Sequence, residues 1–148
     1  MKLDKNDRRV LLARARESIC IKLFGRNLER LPEDSGVLHE RQGAFVTLKK
    51  HGCLRGCVGY IEPRKPLHEA VEQMAQAAAF DDPRFPALDP EELDEIDIEI
   101  SVLTPLKQVA SVEEIEIGKH GLYVVKGFYS GLLLPQVATE QGWDREAF

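Results

Sequence analysis

The sequence lacks any hydrophobic run that approaches the roughly 20 residues needed to span a bilayer. Its first residues, Met1 to Lys5, also lack the apolar stretch of a signal peptide. We therefore expect a cytoplasmic protein that does not associate with membranes. The chain has 148 residues, of which 43% are hydrophobic and 30% charged, and this composition is typical of one globular domain with one core.

Cysteine is scarce, and its spacing excludes several kinds of site. Cys20, Cys53 and Cys57 are odd in number, so a disulfide framework is not predicted for a protein of a reducing compartment. The sequence has no nucleotide-binding glycine loop, serine nucleophile elbow or HExxH zinc motif, and no three-cysteine loop of an iron–sulfur radical enzyme. No cofactor is implied.

Positive charge is in deficit overall and concentrated at the start of the chain. The net charge is −5, yet residues 1–31 hold nine Lys and Arg against four Asp and Glu. A basic helix of this kind can contact an acidic partner or a phosphate backbone, but a solvated helix face is the simpler interpretation. Because no exposed aromatic residues accompany the basic ones, nucleic-acid binding is not predicted.

Apolar spacing alternates between helical and strand periods along the chain. The predicted helices cover residues 4–30 (stopped by Pro32), 66–80 and a short segment from Pro135 to near Gly142, and another begins at Trp143. The predicted strands cover residues 43–49, 53–61, 96–103, 120–126 and 132–134, with a short edge element at 112–117. The acidic residues between Asp89 and Glu99 indicate a solvated edge. No boundary between domains is apparent.

The predicted strand 53–61 places Arg55 and Cys57 on one face, because side chains alternate along a strand. A nearby cation favours the thiolate, so this pattern indicates a reactive thiol or an anion-binding spot. The simpler alternative is a tight hairpin in which Cys57 is a small buried residue and Arg55 pairs with an acid. A zinc site that includes His51 and Cys53 is less favoured, because no second pair of ligands follows.

Two further residues are candidates for chemistry. His120, at the start of a predicted strand, could act as a general acid or base, or simply occupy a turn. Arg84 lies in a proline-rich loop, where its planar fork could hold a carboxylate or phosphate of a ligand. Arg84 could equally pair with Asp81 or Asp82 and only fix the loop.

Several segments together resemble the AMMECR family, whose prokaryotic members are named AmmeMemoRadiSam system protein A. The matching segments, in order, are Gly43–Leu48, Leu54–Tyr60, Ala77–Pro86, Ile98–Leu103, Gly118–Leu122 and Leu132–Val137. The resemblance implies an α+β fold, with a central antiparallel or mixed sheet flanked by helices and a smaller lobe beside it. It also implies one cleft formed by the glycine-rich motifs, the Arg84 loop and the Leu134–Pro135 segment.

The resemblance further implies possible partners, namely a Memo-like protein or a radical S-adenosylmethionine protein, but no reaction. Family members continue past Trp143 with a further helix, so we expect residues 1–148 to form a single domain that lacks this helix. Apolar surface would then be exposed.

Three functions are compatible with these observations. The first is a small cysteine-dependent enzyme or group carrier, with Cys57 and His120 as catalytic residues and Arg55, Gly56, Gly59 and Arg84 as ligand contacts. The second is a non-catalytic interaction domain that docks through the glycine-rich hairpin. The third is a sensor in which Arg55 and Arg84 clamp a small anion.

Overall fold

The computed structural model describes residues 3–25, 36–144 and 147. Within it the chain divides into two compact units, residues 1–106 and residues 107–148, called here the first and second units. The predicted α+β class is confirmed. The helices of the described residues do not combine the length and apolar character needed to cross a membrane.

The first unit is a three-stranded antiparallel sheet covered by two helices. In order along the chain its elements are α1 (Lys5–Phe24), β1 (Gly43–Lys50), β2 (Cys53–Tyr60), α2 (Leu67–Phe80) and β3 (Ile96–Leu103). The strand order is β2-β1-β3, so β1 is central and β2 lies at an edge. Helix α2 packs on β1 and β2, and α1 packs on α2 and β3.

The core of the first unit lies between the helices and the sheet. Its largest fully buried side chains come from both layers: Leu11, Ile19, Leu38, Leu48, Leu67, Val46 and Val71. The alternation predicted for β3 is confirmed, because Ile96, Ile98, Ile100 and Val102 all pack against this core.

Helix α1 begins and ends with capping interactions. The Asp4 side chain accepts a hydrogen bond from the Asp7 amide at the N-terminus, and the Asp7 side chain accepts one from the Asp4 amide. Gly25 follows Phe24 in the left-handed conformation (φ 73°) and ends the helix. Glycine suits this position because a residue with a Cβ adopts the conformation only at an energetic cost. This end at Gly25 was not predicted, and residues 26–30 of the predicted helix lie outside the described residues. Pro32, the predicted stop, lies outside the described residues.

The predicted hairpin is confirmed, and its turn is the tight kind expected. His51 (φ 50°) and Gly52 (φ 80°) both have positive φ, as a two-residue turn of type I′ requires. This turn joins β1 to β2 in antiparallel pairing.

The pairing of β1 with β2 contains a bulge at Arg55. Leu48 pairs with Gly56 whereas Lys49 pairs with Leu54, so Arg55 is an extra residue in the register. A bulge interrupts the alternation of side chains. The prediction that strict alternation holds through Arg55 and Cys57 was wrong for this reason.

The second unit contains a hairpin and a short helix. Strands β4 (Leu122–Lys126) and β5 (Tyr129–Leu133) form a two-stranded antiparallel sheet, and α3 (Pro135–Gln141) follows. Helix α3 ends near Gly142, as predicted, and Gly142 itself has the left-handed conformation (φ 67°). The predicted edge element at 112–117 is instead a 3-10 turn at Val112–Glu114.

The hairpin of the second unit exposes large apolar side chains, namely Val124, Val125, Phe128 and Tyr129. Of the helix predicted from Trp143 onward, Arg145 and Glu146 lie outside the described residues.

Replacing Gly56 with alanine should destabilise the first unit by about 1–3 kcal/mol, the usual range for an overpacked core. A Cβ at Gly56 would fall on the backbone carbonyl oxygen of Ala78 in α2, and a helix backbone cannot give way as a flexible side chain does. The measurement is urea unfolding followed by circular dichroism. Gly36→Ala is the control, since no atom of the described residues lies within 4 Å of its added Cβ. Equal stability of the two variants would contradict the close helix–strand packing.

Candidate functional site

Cys57 lies on the edge strand β2, opposite Thr47 of β1. Its Sγ is 3.2 Å from the Thr47 hydroxyl oxygen, within hydrogen-bond distance for sulfur. Thr47 is buried, Cys57 is half-buried, Cys53 is exposed and Cys20 is buried. The Cys57 thiol therefore has a polar partner, and the residue as a whole is partly exposed to solvent.

The backbone of Cys57 is held from outside the sheet by two side chains of the loop after α2. The Cys57 amide donates a hydrogen bond to Asp82 Oδ2 at 3.0 Å, and Arg84 Nη2 donates one to the Cys57 carbonyl at 3.4 Å. Edge strands leave backbone groups without a neighbouring strand. Asp82 and Arg84, here called the edge clamp, take the place of that strand at Cys57.

The two side chains of the edge clamp form a bidentate ion pair, with two parallel hydrogen bonds between them. Arg84 Nε donates to Asp82 Oδ1 at 3.0 Å and Nη2 donates to Oδ2 at 2.8 Å. Asp82 is buried, and the Arg84 hydrogen bond holds the pKa of this carboxyl well below its ordinary value, helped by the amides of Cys57 and Arg84. The Asp82 carboxylate in turn raises the pKa of Arg84. Of the two pairings considered for Arg84, Asp82 is the one found.

Arg55 is likewise paired with an acid. Its Nε donates to Glu92 Oε2 at 2.9 Å and its Nη2 donates to Oε1 at 3.2 Å, while Lys50 Nζ lies 3.4 Å from Oε2. The pKa of the Glu92 carboxyl is lowered to about 2, and the hydrogen bond from Arg55 is the largest cause. Glu92 is thus no part of a solvated edge, and that prediction was wrong for this residue, because the 3-10 turn at Pro90–Glu95 brings it to Arg55.

Within the described part of the chain, one nitrogen of Arg55 lacks a partner. The residue is only 8% exposed, and its Nη1 is buried without a hydrogen-bond acceptor. A buried polar group left unsatisfied costs about 1–3 kcal/mol. This donor is the most unusual polar atom of the site.

Phe85 brings the two arginines together. The Arg55 Cζ lies 5.9 Å from the centroid of the Phe85 ring, and the Arg84 Cζ lies 5.4 Å from it, both within cation–π range. Arg55, Cys57 and Arg84, which were predicted as site residues, therefore share one neighbourhood in the first unit.

The two predicted ligand-binding glycines contact the protein itself. A Cβ at Gly56 would strike α2, and a Cβ at Gly59 would strike the Ala44 backbone and the Phe45 ring. Both glycines therefore allow close approach of neighbouring elements. Their predicted role toward a ligand has no further support here.

His120 lies in the second unit, just before β4. Its Nδ1 accepts a hydrogen bond from the Glu116 amide at 3.0 Å. An accepting Nδ1 is unprotonated, so the neutral ring carries its proton on Nε2.

Among the residues that the structure describes, no group of three or more His, Cys, Asp and Glu side chains is arranged to hold a metal ion. The His51 side chain is highly exposed, and its Nε2 lies 3.9 Å from Glu95 Oε1.

Sequence reasoning missed Thr47, Phe85 and Glu92 as members of the site. Thr47 offered one signal, because it is a polar residue that pairs with the motif strand in the predicted hairpin. Glu92 offered none, since it is one of seven acids between Asp89 and Glu99.

The fold and the site define an α+β protein in which a half-buried cysteine sits on a clamped edge strand. The model of the AMMECR1 family matches residues 12–148. A protein of Methanothermobacter thermautotrophicus is 50% identical over 153 residues, covering 99% of this chain and 80% of that protein. A Methanopyrus kandleri protein is 48% identical over 157 residues, covering 99% of this chain and 75% of that protein.

A crystal structure of an uncharacterized protein from Pyrococcus horikoshii has the same fold. It is 42% identical, the TM-score is 0.84, and the match covers 93% of this chain and 73% of that one. The chain belongs to the AMMECR1 family, as the resemblance of its motifs predicted.

Replacing Glu92 with glutamine should destabilise the protein by about 2 kcal/mol at pH 7, because it leaves the buried Arg55 charge without its counter-ion. The Glu92 pKa is lowered from 4.5 to about 2, so its contribution is complete above pH 4.5 and is lost as pH falls toward 2. Urea unfolding at several pH values should show the wild type and the variant converging in acid. Glu91→Gln, at an exposed acid of the same turn, is the control. A difference that does not depend on pH would contradict the assignment.

Replacing Asp82 with alanine should speed hydrogen exchange of the Cys57 amide by about tenfold or more, since a hydrogen bond to a charged group contributes at least about 1.5 kcal/mol. The measurement is native-state exchange followed by NMR. Asp81→Ala is the matched control, because the Asp81 side chain is exposed and 4.0 Å from Lys22. Unchanged exchange at Cys57 in the Asp82 variant would show that the edge clamp does not protect this strand.

Proposed function

We propose that this protein is a small cysteine-dependent enzyme or group carrier whose reactive group is the thiol of Cys57. The observation that carries the proposal is the double restraint on this residue. Its backbone is held by the edge clamp and its Sγ lies 3.2 Å from the Thr47 hydroxyl. A nucleophile held in one position loses little conformational freedom when it reacts.

The hydroxyl of Thr47 can donate a hydrogen bond to the Cys57 thiolate, and such a bond favours the charged form. A threonine hydroxyl is too weak a base to take the thiol proton at neutral pH. We assign that step to solvent, because the neutral His120 ring carries its proton on Nε2 and uses its Nδ1 lone pair toward the Glu116 amide.

A second candidate function is ligand binding without catalysis. It is supported by the position of Arg55 and Arg84, whose guanidinium groups both approach the ring of Phe85. In this case Cys57 would contact the ligand rather than react with it. Such a protein would keep its cellular role when Cys57 is replaced by serine.

Membership of the AmmeMemoRadiSam system and docking to a Memo-like or radical S-adenosylmethionine protein stay predictions from the family resemblance. A cytoplasmic location stays a prediction from the composition of the sequence. The glycine-rich hairpin would be the docking surface. If the purified chain did not co-elute with such proteins at micromolar concentration, docking would be refuted.

The first experiment is iodoacetamide labelling at pH 7, with each cysteine followed by peptide mass spectrometry. We expect Cys57 to react at least as fast as Cys53, although Cys53 is exposed and Cys57 is only half-buried. Thr47→Val should slow Cys57 severalfold, since it removes the hydroxyl and keeps the shape. The two other cysteines are internal controls, because Cys20 is buried and should stay unlabelled in the folded chain.

Thr104→Val is the control for Thr47→Val, because it makes the same change at an exposed threonine beyond the end of β3. If Cys57 stays unlabelled until the protein is denatured, it is a structural residue and the proposal fails.

A further inference from the structure

The Arg55 side chain is both buried and incompletely used. Two of its nitrogens, Nε and Nη2, donate to Glu92, and the third, Nη1, has no acceptor among residues 3–25, 36–144 and 147. Buried donors are nearly always paired in folded proteins. An acceptor that enters the site would complete the hydrogen bonding of this guanidinium.

The charge of the site limits what that acceptor is. Ion pairs link six charged side chains around Arg55 and the edge clamp. Three of them are positive (Lys50, Arg55 and Arg84) and three are negative (Asp82, Glu92 and Glu95). The two sets balance. A phosphate or sulfate would therefore bring uncompensated negative charge into a partly buried network, which is unfavourable. A neutral oxygen acceptor adds no charge.

The ring of Phe85 lies against this guanidinium, with its centroid 5.9 Å from the Arg55 Cζ. Phe85 is only half-buried, so its side chain can be displaced toward solvent. A planar group that enters beside it would have an aromatic face on one side and the Nη1 donor at its edge.

We propose that Arg55 Nη1 donates a hydrogen bond to the neutral carbonyl oxygen of a ligand, as found in an amide. The inference rests on the proposed function, because it names the class of ligand bound at the same site. It concerns binding alone and includes no covalent step.

The test uses N-methylacetamide as a minimal carbonyl probe and inorganic phosphate as the anionic one. Both are titrated into the full chain while the arginine side-chain nitrogens are followed by NMR. We expect N-methylacetamide to shift the Arg55 signals saturably and phosphate to leave them unchanged. In the Arg55→Lys chain the Arg84 signals report the titration, because Arg84 approaches the same Phe85 ring, and amide binding should weaken about tenfold or more, which corresponds to about 1.4 kcal/mol. Arg64→Lys is the matched control, since Arg64 forms an exposed ion pair with Glu62.

A response to phosphate without one to the amide would overturn the inference in favour of an anion site. No response to either probe would mean that solvent satisfies Nη1, and the inference would also fail. The comparison of probes on the wild-type chain stands even if the Arg55→Lys chain does not fold. Amide binding by a chain whose Cys57 is inert to iodoacetamide would keep this inference and remove the proposed enzyme.

Discussion

The site depends on the hydrogen bonds that the buried carboxylate of Asp82 accepts. This carboxylate accepts hydrogen bonds from the Cys57 amide and from the Arg84 side chain, and so joins an edge strand to the loop after α2. A buried carboxylate stays charged only when it is paired and hydrogen-bonded, which fixes the positions of its donors. The orientation of Cys57 follows from that requirement.

A second ion pair repeats this arrangement at Arg55. In both pairs an arginine directs its Nε and Nη2 edge at one carboxylate, and both guanidinium groups approach Phe85. Because each arginine is neutralised, neither behaves as a free cation toward a ligand. The site differs in this respect from an open anion clamp, and what remains for recognition is hydrogen bonding and the aromatic ring.

The bulge in β2 has a consequence for the chemistry as well as for the strand. It adds Arg55 to the register, so this side chain pairs with Glu92 while Cys57 contacts Thr47. A regular strand would have placed both side chains on one face. Separate partners mean that the proposed support for the thiol comes from Thr47 rather than from Arg55.

The sequence by itself determined the elements whose causes are local. Residue types predict the tight turn at His51 and Gly52 and the start of α3 at Pro135. The two-residue repeat of apolar side chains predicts the buried face of β3. Family membership was also readable, because the motifs occur in a fixed order. The early end of α1 at Gly25 was missed, since an isolated glycine inside a helical pattern does not always end a helix.

Only the tertiary structure decided which acid meets which arginine. Asp82 and Arg84 are close in sequence, but their shared target, the backbone of Cys57, is distant along the chain. Glu92 is one acid among seven between Asp89 and Glu99, and only the path of the chain brings it to Arg55. Apolar periodicity fixes which face of an element is buried, whereas the pairing of charges depends on how elements meet in space.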